Sequence, residues 1–259
     1  MKQEEFVATQ FPSLAAWIRE AAAGGTEARV YERQGVVAQV SPAVPDASLF
    51  NSVTYSDADS LRAALPELES VYAAAGVRAW TVWIHESDLE AAALVREAGH
   101  ELDSSPQGMG CRLDALIAPD GLDELEYGEA PSIQDLQTVL ARGYGFPIEV
   151  SRRAVARLPA GPATLVGIAY LAGRPACTAQ VTIAGSDAGV YTVATVPEAR
   201  GRGLARRLQY RLLRRARELG ALTTTLQASA MGRPVYEALG YASFGPMNMW
   251  ERRAVGQAA

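Results

Sequence analysis

Hydrophobic positions in the second half of the chain switch between two periods, and the switches mark out the elements. Leu204, Leu208, Leu212, Ala216 and Leu219 recur every three or four residues, which places them on one face of a helix over 204–219. Arg207, Arg211, Arg214, Arg215 and Arg217 fill the remaining surface as a mostly solvated stripe, and Gly220 supplies the stop. The apolar runs 164–171 and 176–184 flank Ala172-Gly173-Arg174-Pro175 and predict a hairpin. Gly185-Ser186-Asp187 then turns into a strand over 188–195. Three threonines and Leu226 predict a strand over 221–227, followed by a helix over 234–239 that Gly240 closes. A last strand over 241–250 is bent around Gly245-Pro246. Amphipathic helices over 133–142 and 150–157 complete an order of strand, two helices, three strands, helix, strand, helix, strand across 126–250.

The first half repeats the end of this order. A strand is predicted over 76–84, a helix over 87–98, and Gly99-His100 leads into a further strand. Arg96-Glu97-Ala98-Gly99-His100 parallels Glu237-Ala238-Leu239-Gly240-Tyr241. A helix over 60–75 precedes them, but no glycine lies between Gly35 and Gly76, and Asp57 and Asp59 stand at its start. Asp114 to Leu125, with Pro119, is the predicted connection between the halves.

Composition narrows the function classes. The 259 residues carry 29 acidic and 24 basic side chains, a net charge of −5 that disfavours nucleic-acid binding and mildly favours a cationic small partner. No apolar run has membrane-spanning length, and Lys2, Glu4 and Glu5 around Phe6 do not form a leader, so a cytoplasmic protein with no membrane partner is expected. Cys111, Cys177, His85 and His100 show no metal-ligand spacing; the cysteines read as small core fillers, and no metal is expected.

Residues 193–205 carry the candidate chemistry. A β-branched strand, Pro197, a glycine-punctuated loop and an arginine-rich helix follow one another. The free N–H groups at a helix start, with the positive end of its dipole, form an anion site, and glycine lets the backbone come close. A phosphate-binding loop ending in Gly-Lys-Ser/Thr does not fit, because Arg206 and Arg207 follow Ala205. A dinucleotide fingerprint would need a third glycine where Arg206 stands.

The run resembles the coenzyme A loop of the GNAT acetyltransferase superfamily, with Arg200, Gly203 and Ala205 on its Arg/Gln-x-x-Gly-x-Gly/Ala positions. Ser229, Tyr236 and Leu239-Gly240-Tyr241 resemble the family's second signature, with Ser229 departing from the more frequent Asn. The resemblance covers about half the chain. It implies an α+β, three-layer α/β/α fold built of two GNAT-like mixed-sheet domains packed as a pseudo-dimer. The expected division is a degenerate domain over 1–118 that binds no cofactor, a linker over 119–125, and a catalytic domain over 126–259. The first half would form one wall of the acceptor pocket and cover the sheet of the second.

The implied activity is transfer of an acetyl group from acetyl-CoA to a primary amine by direct attack in a ternary complex. The implied cofactor site comprises Val193, Ala194, Thr195, Gly201, Arg202, Gly203, Leu204, Ala205, Arg206, Ser229 and Gly232, and Tyr236 is the implied general acid. The strands 190–196 and 221–227 hold no carboxylate or histidine for a base. Glu149 is a candidate base or acceptor contact, with a solvated helix position as its plain alternative. The acceptor is a small-molecule or peptide amine, and the chain a monomer or homodimer. A non-catalytic acyl-CoA-binding regulatory protein is the alternative.

Overall fold

The computed structural model describes residues 3–254 apart from 130, 160 and 162. A helix α1 (Gln3–Gly24) opens the chain. Strands β1 (Arg29–Arg33), β2 (Val36–Val40) and β3 (Ser52–Tyr55) lead into helix α2 (Ala58–Ala74), strand β4 (Ala79–His85), helix α3 (Leu89–Glu97) and strands β5 (Glu101–Ser104) and β6 (Gln107–Arg112). Residues 116–126 contain no helix or strand. The second half runs β7 (Tyr127–Glu129), α4 (Ile133–Tyr144), α5 (Ile148–Ala154), β8 (Thr164–Leu171), β9 (Arg174–Ala184), β10 (Asp187–Thr195), α6 (Leu204–Glu218), β11 (Thr223–Ala228), α7 (Arg233–Glu237) and β12 (Ala242–Arg253). This is the order the periodicity predicts for 126–250. Helix α1 and strands β1 to β3 are elements that the sequence pattern does not announce.

The halves mirror each other in one mixed sheet. Its order is β1-β2-β3-β4-β12-β6-β11-β10-β9-β8-β7, with β5 pairing β12 off this path. In each half two strands run parallel, β3 with β4 and β10 with β11, and a helix, α2 or α6, crosses between them. The last strands are exchanged. Strand β6 of the first half pairs antiparallel with β11, while β12 of the second half pairs antiparallel with β4. The two exchanged strands also pair with each other, Ala242 opposite Gly110 and Gly245 opposite Gly108. The first half is therefore a sheet neighbour of the second, joined edge to edge, where the sequence suggested a cover laid over it.

Glycines make the exchange sterically possible. A Cβ on Gly110 would stand 2.3 Å from the Phe6 ring, and one on Gly108 would stand 2.4 Å from the Phe244 ring. Phe6 and Phe244 stack with centroids 6.1 Å apart over this strand. Helix α1 brings Phe6, Leu14, Trp17 and Ile18 into a cluster with Val37 and Trp83 of the first half and Tyr191, Phe244 and Met247 of the second. It lies close because Gly189 has no side chain: a Cβ there would meet Ser13 Oγ at 2.1 Å. Cys111 and Cys177 are free thiols in the large core cluster of the second half, and burial pushes them up to about 11 and about 12. They pack as core residues.

These contacts make the second half dependent on the first. Expressed alone, residues 126–259 lose β6 from the edge of β11 and α1 from Tyr191, Phe244 and Met247. An unpaired strand edge beside exposed aromatic surface promotes association. The fragment is expected to be insoluble or soluble only as large aggregates in size-exclusion chromatography; a monomer with a cooperative melting transition contradicts this.

Candidate active site

Strands β10 and β11 are clamped at one end and part at the other. Asp187 is buried at the clamped end, where its carboxylate accepts from Thr223 Oγ1 at 2.8 Å and Thr225 Oγ1 at 2.6 Å. Burial raises its pKa, and the threonine and Ser13 hydroxyls oppose that rise. Thr224 Oγ1 donates to Ala188 O at 2.6 Å, so all three threonines of β11 serve this junction. The β10–β11 ladder covers only Asp187 to Gly189. Beyond it, the side of β10 facing β11 is unpaired.

A β-bulge then reorients β10. Tyr191 opposes Gln180 and Ala194 opposes Thr178, so Thr192 and Val193 together face one residue of β9. Thr192 takes a left-handed φ of 49°, uncommon for a β-branched residue. Past the bulge, Val196 N donates to Ala176 O across the ladder. Alternation along an antiparallel strand turns the Thr195 backbone groups the other way, toward the gap. Helix α4 comes within close range of this segment at Gly143, where a Cβ would lie 2.7 Å from the Ala194 Cβ.

The glycine loop lies at the wide end of the gap. Gly201 and Gly203 both hold left-handed φ angles, 73° and 71°, and nothing lies within 4 Å of a Cβ built on Gly201. Gly203 caps α6 without a side chain, and the first helical bond is Arg207 N to Gly203 O. Among the described residues no hydrogen bond occupies the N–H groups of Leu204, Ala205 or Arg206. Arg206 Nε is also buried without a partner. The result is a concave, positive end of a helix. Arg200 fastens the loop, donating from Nε to Thr195 O at 3.2 Å and from an Nη to Gly143 O at 3.0 Å. Arg207 donates to Gly121 O and Arg211 to Leu122 O, so part of the arginine stripe holds the connecting segment and is not merely solvated.

A cleft of about 550 Å³ runs from this loop along β10, bringing together Val193, Ala194, Thr195, Gly201, Arg202, Gly203, Leu204, Ala205, Arg206, Ser229, Gly232 and Tyr236. Ser229 Oγ accepts from Gly232 N at 3.1 Å and so orders the turn before α7. A second cavity, of about 490 Å³, adjoins the cleft and is lined from both halves, including Trp17, Phe50 and Trp83 of the first. Tyr144, Val193, Ser229 and Tyr236 line both spaces and mark their junction. Tyr236 is 7% exposed, and no hydrogen bond engages its hydroxyl among the described residues. Burial, reinforced by Tyr144 and Cys177, raises that hydroxyl well above its ordinary value, so it stays protonated.

Glu149 and Tyr144 add to the sequence reading. Glu149 lines neither space; it faces solvent and pairs with Arg152 Nη1 at 2.5 Å, so its position fits the solvated-helix alternative. Tyr144, not singled out in the sequence, stands at the junction, 42% exposed. Its only sequence signal is its place before Gly145, which ends α4 in a left-handed conformation. The net acidity of the chain is not expressed here: among the described residues no carboxylate lines either space. No group of three metal-ligating side chains occurs among the described residues, and none of their helices is long and apolar enough to cross a membrane.

Residues 146–249 match the family model described as an acetyltransferase (GNAT) domain. No curated protein sequence matches the chain. Among solved structures, a GCN5-related N-acetyltransferase from Kribbella flavida superposes with a TM-score of 0.68 at 17% identity, covering 95% of this chain and 96% of that one. A putative GNAT-family acetyltransferase from Novosphingobium aromaticivorans gives 0.57 at 15% identity, covering 94% and 97%. A tandem GNAT protein from the clavulanic acid biosynthesis pathway gives 0.57 at 12% identity, covering 95% and 96%. At these identities the structural likeness concerns the fold.

The Arg200 contacts allow a direct check. Arg200→Ala removes two hydrogen bonds that hold the loop on β10 and α4. A net loss of about 1 kcal/mol should lower Tm by about 2–4 °C in a chain of this size. Calorimetry showing no change would mean the loop is held by other contacts.

Proposed function

We propose that this chain, whose C-terminal half is a GNAT acetyltransferase domain, transfers an acetyl group from acetyl-CoA to a primary amine at the junction of its two cavities. The observation that carries this reading is the alignment of three features along β10: unengaged N–H groups at the start of α6, an unpaired strand edge past the bulge, and an unengaged tyrosine hydroxyl at the far end.

The cofactor's pyrophosphate fits the loop, where the N–H groups of Leu204, Ala205 and Arg206 donate and the Arg206 guanidinium adds charge. Gly201 and Gly203 leave the space that side chains would fill. The amide-bearing arm then pairs with the free edge of β10 as an added strand, which needs only backbone groups on the protein side. This orientation directs the thioester toward Tyr236, with the β10 backbone supplying a donor for its carbonyl oxygen. The amine nitrogen attacks the carbonyl carbon, the C–S bond breaks, and the sulfur leaves as thiolate. Tyr236 gives it a proton, the acylated nitrogen releases its own to water, and Tyr236 takes one back from solvent before the next turnover.

The acid is matched to this task by environment. Burial raises the Tyr236 hydroxyl, which would weaken it as a donor toward a thiolate in water. Desolvation disfavours a thiolate as it does a phenolate, so a thiolate released in a site closed to water is a stronger base than in solution and the proton transfer is brought closer to balance.

The first half has no corresponding cradle in this reading. At the start of α2 the chain's own Asp57 carboxylate accepts from Ser60 N at 2.8 Å, occupying the place an anion would take. We accordingly divide the chain into a cofactor-free domain over 1–118, a linker over 119–125 and a catalytic domain over 126–259, with one acetyl-CoA per chain.

Two substitutions test separate parts of this proposal. Gly203→Glu places a bulky anion in the cradle. Acetyl-CoA at a hundred times its Kd should stabilise the wild type by about 2.7 kcal/mol and leave this variant unshifted in a thermal melt; an equal shift in both relocates the cofactor. Tyr236→Phe preserves the ring and should leave the fold and acetyl-CoA affinity nearly unchanged. It should lower kcat by at least about tenfold, since general acid catalysis typically supplies ~10²–10⁴-fold and water partly substitutes. Wild-type kcat in a variant whose chemical step is rate-limiting would make Tyr236 a packing residue.

A further inference from the structure

The cavity beside the cofactor cleft has walls that are mainly aromatic and apolar, with a few neutral polar side chains. Trp17, Phe50, Trp83, Tyr144, Tyr191 and Tyr236 supply its aromatic surface, and among the described residues no Asp, Glu, Lys, Arg or His side chain lines it. Its volume of about 490 Å³ falls in the range of small-molecule sites, roughly 300–1,000 Å³. The walls are fixed before any ligand arrives. Trp83 Nε1 donates to Ser52 Oγ at 3.0 Å, Trp17 stacks on Tyr191 at 5.1 Å, and Phe50 packs edge-on against Phe146 at 6.2 Å. Among the described residues, Gln227 Nε2 on this wall is buried without a partner. Ser104 and Ser105 are exposed at the rim.

We propose that this chamber holds the acceptor and selects an arylalkylamine, a single amino group on an aromatic and otherwise uncharged body. The inference rests on the acetyl-transfer reading above and names its substrate class. The ring enters among Trp17, Phe50 and Trp83, where flat apolar surface is stabilised by burial and aromatic contact. The amino group reaches the junction beside Tyr144 and Tyr236. Gln227 serves a neutral polar substituent on the body. A carboxylate or a second ammonium would be buried with no opposite charge, which the chamber penalises heavily.

The chamber also accounts for the missing base. The titratable groups that face it are Tyr144, Tyr191 and Tyr236, with Asp187 behind Tyr191 and engaged by Thr223, Thr225 and Ser13. An ammonium moved into such surroundings loses hydration and favours its neutral form, so the nucleophile is deprotonated by burial and its proton is left to solvent. For a set of arylalkylamines of different basicity, kcat/KM should rise with pH and level off at the pKa of each free amine.

The test uses the full chain with acetyl-CoA. 2-Phenylethylamine and tryptamine are compared with phenylalanine, lysine and spermidine by release of free thiol. The arylalkylamines should exceed the others in kcat/KM by at least about tenfold. Leu49→Asp, a partly exposed lining position, should narrow that gap in favour of spermidine while circular dichroism shows an unchanged fold. Binding is read independently of turnover from the tryptophan emission of Trp17 and Trp83 on titrating 2-phenylethylamine in the presence of CoA. Equal or faster turnover of phenylalanine or lysine overturns this inference and leaves acetyl transfer standing. So does octanoyl-CoA binding in competition with 2-phenylethylamine, which would make the chamber a site for a long acyl chain. No change in emission on titrating 2-phenylethylamine also overturns it. Absence of any acetyl-CoA binding instead removes the functional reading on which it rests.

Discussion

The exchange of last strands between the two halves is the constraint on which the rest of the molecule depends. Strand β6 completes the sheet beside β11, and β12 completes the sheet beside β4, so neither half has its full set of strands without the other. Pairing at Gly108 and Gly110 leaves room for Phe244 and Phe6 to stack over the crossing, and α1 then covers the junction. A chamber with walls from both halves is a direct consequence. Trp83 reaches it from β4, Met249 from the exchanged β12 and Trp17 from α1, while Tyr191 comes from β10.

A second device opens the cleft along β10. Two strands that pair parallel along their length leave no space between them. Here Asp187 and the threonines of β11 hold one end, and the bulge at Thr192 and Val193 turns β10 away at the other. Beyond Gly189 the ladder between β10 and β11 ends, and apart from Thr195 O, which Arg200 engages, the backbone edge there is open to water or a ligand. The glycine loop and the start of α6 follow from β10 through Pro197, so the anion site and the strand edge are set by one continuous segment. Arg200, which returns to Thr195 O and Gly143 O, keeps that segment in place.

The sequence made the second half readable because its signals are local. The leucine stripe from Leu204 to Leu219, the loop through Gly201 and Gly203, and Gly240 closing a helix each depend on near neighbours. Helix α1 was not legible for the opposite reason: its buried face includes Gln10 and Ser13, which break the apolar period, and Pro12 lies within it. Short strands β1 and β3 carry five and four residues, too few for a firm alternation. The role of the three threonines of β11 needed Asp187, thirty-six residues away at Thr223. The exchange itself is a long-range pairing choice. Gly108 and Gly110 are compatible with it, but nothing near them in sequence names Phe244 or Phe6 as partners. Glu149 was a candidate only because of its helix, and the ion pair with Arg152 accounts for its placement on the surface.

In the proposed function the cleft along β10 and the aromatic chamber meet at Tyr236 to form one reaction space. A crystal structure with a bisubstrate analogue, 2-phenylethylamine joined through an acetyl bridge to the sulfur of CoA, tests it most directly. Pyrophosphate oxygens are expected on the N–H groups at the start of α6, the bridging sulfur within hydrogen-bonding reach of the Tyr236 hydroxyl, and the phenyl ring between Trp17 and Trp83. A ring left in solvent, or a pantetheine arm lying away from β10, would contradict it.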